Sequence, residues 1–186
     1  MRTLTRAAKV LIVPGLLILA SAAFGTPSRN VGSAIDPNLA AIENQVQHKL
    51  AMLPWYGVFD NLKFQVNGSE VILTGQVVSE HDRTKYDAEN EVKRIPGVTK
   101  VVNDIQVLPP STFDDQIRRA EFRAIFSKSD LGRYTMGAIP QVHIIVSGGH
   151  VALEGTVMNQ MDRDVAGIVA NTVPGVFSVT NNLKIG

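Results

Sequence analysis

From Val66 the chain reads VNGSEVILTGQV, and from Val146 it reads VSGGHVALEGTV. A matching tail follows each stretch: IPGVTKVVNDIQV from Ile95 and VPGVFSVTNNLKI from Val173. Val66, Gly68, Val71, Leu73, Gly75, Val77, Asp82 and Arg83 recur 80 residues later as Val146, Gly148, Val151, Leu153, Gly155, Val157, Asp162 and Arg163. Ala88, Pro96, Gly97, Val98, Val101 and Asn103 recur 78 residues later as Ala166, Pro174, Gly175, Val176, Val179 and Asn181. The change from 80 to 78 places a two-residue insertion near residues 84–87 of the first copy. A repeat this long is a duplicated domain, not a solenoid unit of roughly 20–50 residues. It fixes the architecture as two small modules, each near the lower size limit for an independent core. Packing one module on the other would stabilise both.

The start of the chain has a different character. Arg2, Arg6 and Lys9 precede an apolar run, Val10–Ala20, and Ala20-Ser21-Ala22 and Ala23-Phe24-Gly25 both have the small-x-small shape of a cleavage site. Residues 1–25 are therefore read as a signal peptide and residues 26–35 as a polar linker. The apolar run is short for a bilayer crossing and contains Pro14 and Gly15. An uncleaved inner-membrane anchor is the alternative. The expected address of the mature chain is the periplasm. The absence of cysteine rules out a lipid-modified lipoprotein, disulfides and thiol chemistry. The whole chain carries a net +1, but the leader holds three of the 18 basic residues and none of the 17 acidic ones. The remainder is thus net −2, which argues against a nucleic-acid partner and against global attraction to anionic lipid. Any lipid contact must be local.

Within the first module, residues 36–108, Asp36-Pro37 opens a helix with the apolar stripe Leu39, Ile42, Val46, Leu50 and Leu53, and Pro54 ends it. Leu62, Phe64 and Val66 alternate with polar residues as a strand, Asn67-Gly68 marks a hairpin, and Val71–Val77 forms the second strand. A helix follows over Asp82–Ile95, with Gly97 expected at its C-cap, and then a third strand through Val101, Ile105 and Val107. Pro109-Pro110 is a stiff, short link, so the modules must be neighbours. The second module, residues 111–186, repeats the order: a helix over Asp114–Phe126 after the capping-box-like Ser111-Thr112, and a longer loop Ser127–Gln141. Then come strands at Val142–Val146 and Val151–Val157, a helix at Asp162–Val173 and a strand at Val176–Ile185. His143 and His150 fall on the outward face or the turn. The fold class is α+β: two tandem αββαβ modules, each a three-stranded mixed sheet with two helices on one face.

This ordered pattern resembles the BON domain family. The resemblance rests on the glycine-turn hairpin (Gly68 to Gly75; Gly148 to Gly155), the helix after it, and the Pro-Gly-Val and Val-x-Asn pairs ending at Asn103 and Asn181. It covers residues 37–186, twice, in the arrangement of OsmY-like periplasmic proteins. The resemblance implies an envelope protein, related to stress or secretion, with no catalytic activity and no cofactor. Its implied partners are a phospholipid membrane surface or envelope proteins. The chain departs from the family pattern at Thr84–Asp87 and in the long loop carrying Tyr134 and Met136.

The residues agree with a non-enzyme. There is no G-x-S-x-G, no H-E-x-x-H and no phosphate loop, and His48, His81, His143 and His150 lack metal-ligand spacing. Asp82 and Asp162 suit helix starts, where a carboxylate offsets the dipole. Gly97 and Gly175 suit a left-handed helix end. Gly75 and Gly155 lie on the inward side of a strand, where a helix can approach closely. Asn103 and Asn181, on the apolar side of the last strands, are read as tying down a loop backbone. Trp55-Tyr56, after the first helix, is a second exposed-aromatic candidate, with packing on its own core as the favoured reading. On the helix Asp114–Phe126, Phe113, Ile117, Ala120 and Ala124 share the expected core face. Phe122 and Phe126 then point away from it, beside Arg118, Arg119 and Arg123, as a candidate surface for a lipid or a partner. The alternative is that the first module or the loop Ser127–Gln141 covers the two rings and the arginines form a solvated rim. Two functions remain: peripheral phospholipid binding, and a protein-interaction or chaperone-like role.

Overall fold

The computed structural model describes residues 37–128, 130–137 and 139–186. The expected leader, linker and Asp36 cap lie outside the described residues. In the first module, helix α1 (Pro37–Ala51) leads to strands β1 (Asn61–Asn67) and β2 (Glu70–Val77), helix α2 (Asp82–Lys93) and strand β3 (Lys100–Val107). The second module contains α3 (Thr112–Phe126), β4 (Val142–Ser147), β5 (His150–Val157), α4 (Gln160–Ala170), β6 (Ser178–Asn181) and β7 (Lys184–Ile185). In each sheet the central strand pairs antiparallel with the strand before it and parallel with the strand after its crossover helix. The expected last strand, Val176–Ile185, is split into β6 and β7. Both halves pair with β5 in one unbroken register, so only the ladder is interrupted.

The periodicities place the cores. Ile42, Val46, Leu50 and Leu53 of the α1 stripe are buried with Val71, Leu73, Val77, Ala88, Val92, Ile95 and Ile105. The second core gathers Ile117, Ile125, Val142, Ile144, Val146, Val151, Leu153, Val157, Ala166, Ala170 and Leu183. It also takes in Leu131 and Tyr134 from the long loop. The Tyr134 hydroxyl donates to the Asp162 carboxylate and accepts from the Met158 N–H at 2.9 Å. The loop after α3 is therefore a structural part of the second core.

The two copies superpose in sequence by 75 residues at the first helix, 80 at the hairpin and 78 at the second helix. The two-residue insertion falls before α2, in the 3-10 turn Ser79–His81, not at residues 84–87. The structural equivalents of Asp162-Arg163 are thus Thr84-Lys85, both Thr84 and Asp162 being buried. The repeated Asp-Arg pair at a spacing of 80 does not occupy equivalent sites.

The modules meet along the far face of the second sheet. Gly57–Asp60 forms a turn, with the Asp60 N–H donating to Gly57 O at 3.2 Å. The Asp60 carboxylate, fully buried, accepts from Gly57 N–H (3.0 Å) and Val78 N–H (2.9 Å) and pairs with His81 Nδ1 at 2.8 Å. At the tip of that turn, Val58 O accepts from the Ile144 N–H at 2.8 Å on the edge of β4. Phe59 joins Val78, Leu108, Ile145 and Ala152 in a small apolar cluster between the modules. His143 is therefore buried, not outward, because module 1 covers that face. Its ring stacks on Tyr56 with centroids 5.3 Å apart. Gly57 O can only accept, so Nδ1 of His143 carries the proton (3.2 Å) and Nε2 accepts from the Tyr56 hydroxyl (3.3 Å). Tyr56 packs across the module boundary and not on its own core alone, while Trp55 stays exposed.

Candidate functional site: the open face of α3

Helix α3 starts where the sequence supplies a cap: Ser111 Oγ accepts from the Asp114 N–H at 3.2 Å. Its buried face is not the expected one. Phe113 is exposed and Ala120 and Ala124 are half-buried. The buried positions are Asp114, Ile117, Arg118, Glu121 and Ile125. Charged residues hid the stripe because two of them serve the backbone of the neighbouring hairpin. The Asp114 carboxylate accepts from Gly148 N–H (2.9 Å) and Gly149 N–H (2.8 Å), the two positive-φ residues of the β4–β5 turn. Arg118 pairs with Asp115 and donates to Val146 O at 2.7 Å.

Arg118 is 4% exposed, so it does not belong to the open surface where the sequence placed it. Glu121 is also fully buried, and neither carboxyl oxygen has a hydrogen-bond partner among the described residues. Burial alone pushes its pKa up to about 7.

The open face carries Arg119, Phe122 and Arg123, all exposed, with Phe126 half-buried beside them. Phe122 and Phe126 meet edge to face at 5.0 Å between centroids. Phe59, at the tip of the module 1 turn, meets Phe122 at 6.2 Å. Module 1 thus covers Phe122 in part and leaves it 37% exposed. Val58, Phe59, Arg119, Phe122 and Arg123 line a shallow pocket of about 220 Å³. Among the described residues neither Arg119 nor Arg123 has an ion-pair partner. The acids nearby on α3 are committed elsewhere: Asp114 to the hairpin, Asp115 to Arg118, and Glu121 to the core. The face is locally cationic on a chain close to neutral. The contribution of Phe59 was not legible in the sequence, since it depends on a contact between residues 63 positions apart.

The signature residues build the frame. Gly97 (φ 93°) and Gly175 (φ 90°) do not cap helices: each is the third residue of a Pro-Gly turn closed by Val98 N–H to Ile95 O (3.1 Å) and Val176 N–H to Val173 O (3.3 Å). That is the type II turn, which needs positive φ at this position. Gly75 and Gly155, both at φ 116°, face no helix; a Cβ there would lie 1.9 Å from Asn61 O and 2.0 Å from Gln141 O. The close approach is by the paired strand. Gly68 and Gly148 turn the hairpins. Asn103 donates to Lys85 O (2.9 Å) and Asn181 to Arg163 O (2.7 Å), and each side-chain oxygen accepts from the backbone N–H two residues on. They tie the last strand to the preceding helix and not to a loop. His150 pairs with Ser178 at 2.7 Å. Among the described residues no three acidic, histidine or cysteine side chains converge as a metal site, and no helix is long and apolar enough to cross a membrane.

Fold and site together define a duplicated αββαβ module with an arginine- and phenylalanine-bearing helix face. The chain belongs to the BON domain family, whose model matches residues 38–109 and again 114–186. BON domains are a non-catalytic family that occurs in periplasmic and envelope proteins. No curated protein sequence matches the chain. Among solved structures, the chain is similar to CdsD, a structural protein of the type III secretion system of Chlamydia trachomatis, at 12% identity and a TM-score of 0.28, covering 78% of this chain and 93% of that one. A C-terminal domain of CdsD matches at 13% identity and a TM-score of 0.26, covering 77% and 96% respectively. Likenesses this loose carry nothing about function.

Proposed function

We propose that the protein is a non-enzymatic envelope protein, exported by its leader, that binds phospholipid at the membrane surface through the open face of α3. One observation carries the reading. Two exposed arginines without acidic partners among the described residues flank an exposed phenylalanine over a shallow apolar pocket. Arg119 and Arg123 would hold the anionic head group, each worth about 1 kcal/mol near a charged surface. Phe122, helped by Phe59, would enter the acyl boundary for roughly 1–2 kcal/mol, less than a full burial because module 1 already covers part of the ring. Arg118 has no part in it, and Phe126 contributes from below.

The test is co-sedimentation with vesicles of phosphatidylglycerol and phosphatidylcholine, against phosphatidylcholine alone, at low and high salt. The expected result is binding that requires the anionic lipid and weakens with salt. The double variant Arg119→Glu/Arg123→Glu should lose it while melting like the wild type. Wild-type protein that ignores anionic vesicles at low salt would refute the lipid reading.

A further inference from the structure

The second module shows what the groove between its first helix and edge strand is for. In a two-residue hairpin the residues of the closing pair bond each other, and alternate residues beyond it turn their N–H and C=O to the outside. In β4 the closing pair is Ser147↔His150, so Val142, Ile144 and Val146 face the edge. Ile144 N–H takes Val58 O there, and Val58 and Phe59 pack against the α3–β4 core. The tip of an apolar turn thus closes this groove with one backbone hydrogen bond and two side chains.

The first module has the same groove between α1 and β1. Its closing pair is Asn67↔Glu70, so Leu62, Phe64 and Val66 face the edge. Leu62 N–H reaches only the Tyr56 hydroxyl, at 3.5 Å. Among the described residues no backbone group pairs with the outward side of Phe64. The helix wall differs as well: Gln47, Leu50 and Ala51 stand where module 2 has Phe122, Ile125 and Phe126. The smaller wall leaves a cavity of about 400 Å³, lined also by Leu62, Phe64, Tyr56 and Ile139. Ile139, from the segment before β4, reaches this groove as Val58 and Phe59 reach the other, yet the cavity remains. The groove is continuous with the module interface through Tyr56, which stacks on His143.

We propose that the α1–β1 groove of module 1 is a docking site for an apolar turn on a protein partner, held as module 2 holds Val58-Phe59. One carbonyl at the tip of that turn accepts from the Phe64 N–H, and adjacent β-branched and aromatic side chains fill the cavity. The site is separate from the α3 face and does not depend on the lipid reading.

The probe is a cyclised peptide carrying Tyr56–Asp60, titrated into the full chain and followed by peptide fluorescence and backbone amide shifts. The expected result is saturable binding, with shifts at Gln47, Ala51, Leu62 and Phe64. Ala51→Phe, which installs the residue module 2 has at this position, should weaken binding about tenfold or more. Gln47→Phe, on the exposed side of α1, should do the same if the first variant melts early. Arg119→Glu/Arg123→Glu should leave peptide binding unchanged. Three outcomes would overturn the proposal: no saturable binding, binding that both filling variants retain, or shifts confined to Val142–Val146, which would mean displacement of Val58-Phe59. Vesicle binding abolished by Ala51→Phe without peptide binding would assign the groove to lipid and overturn it too.

Discussion

The two modules share their turns and differ in what covers them. Both hairpins, both Pro-Gly turns and both strand asparagines have the same geometry. The sheet faces away from the helices do not match. Module 1 shows Lys63 and Gln65 to solvent, whereas their equivalents in module 2, His143 and Ile145, lie buried under the 57–60 turn. The first helices diverge most. Leu39, Glu43 and Val46 of α1 correspond to Asp114, Arg118 and Glu121 of α3, and Gln47 and His48 to Phe122 and Arg123. What stays constant in a duplicated module is what the backbone demands. The candidate binding features sit on the elements that were free to diverge.

The largest effect should come from the strand glycines. A Cβ at Gly75 or Gly155 would overlap a carbonyl oxygen of the paired strand, at a φ that side chains rarely adopt. Backbone cannot yield as a side-chain tip can, so alanine at either site should cost on the order of 4 kcal/mol. If the interface couples the modules, Gly75→Ala and Gly155→Ala should each lower a single urea transition. Two separated transitions would show that the modules are stable independently, and would break the argument from the buried 57–60 turn.

The β-strands and hairpins were legible in the sequence because each rests on local chemistry: alternation, and a glycine opening the two-residue loop, Gly68-Ser69 or Gly148-Gly149. The Pro-Gly pairs read as helix ends because a left-handed cap and a type II turn both need positive φ at that glycine. The helix α1 stripe was legible because every buried position is apolar. On α3 the same reasoning chose the wrong face. Asp114 and Arg118 look like surface residues, and only the approach of the β4–β5 turn and of Val146 O gives them buried partners. Of the candidate surface, Arg119, Phe122 and Arg123 are exposed, Phe126 is half-buried and Arg118 is buried, and the partial cover of Phe122 by Phe59 has no local signal in the sequence. The insertion was misplaced because Asp82-Arg83 and Asp162-Arg163 coincide by identity and not by position. His143 misled for a related reason: strand alternation says which side a residue faces, but not whether another module lies on that side.

A second effect sharpens the comparison at Val46 and Glu121, equivalent positions that are both fully buried. At low pH Glu121 is neutral in folded and unfolded chains and costs nothing by ionisation. As pH rises from the ordinary value of 4.5 towards about 7, the unfolded chain releases a proton that the folded protein keeps, so stability falls. Above about 7 the full penalty, about 3 kcal/mol, is present. Glu121→Val should therefore raise the urea midpoint at pH 8 and flatten the fall between pH 4.5 and 7. His143 acts in the opposite sense. Burial holds its pKa below the usual histidine range, so its contribution is present above that range and is lost as pH drops through it. The slope left in the Glu121→Val variant should then have the sign of His143, with stability falling towards acid. A wild type whose stability does not change between pH 4.5 and 8, with an unchanged Glu121→Val, would mean that the carboxyl is hydrated and module 2 is no more polar inside than module 1.

The smallest effect tests where the modules should be indistinguishable. Gly97 and Gly175 hold the third position of equivalent type II turns at φ 93° and 90°. A Cβ at Gly97 would lie 3.2 Å from Ile42 Cδ1, and one at Gly175 would lie 3.4 Å from the Phe113 ring. Both neighbours are side-chain ends that can shift, so crowding adds little and the positive φ sets the cost. Gly97→Ala and Gly175→Ala should each destabilise by on the order of 1 kcal/mol. Their urea midpoints should fall together, with Gly97→Ala slightly the lower because its contact is tighter. Unchanged midpoints in both would show that these turns tolerate a side chain and that the repeated Pro-Gly reflects something other than backbone geometry. A large difference between them would show that Ile42 and Phe113, which occupy different surroundings in the two modules, decide the cost. The turn would then be one more place where the copies have parted.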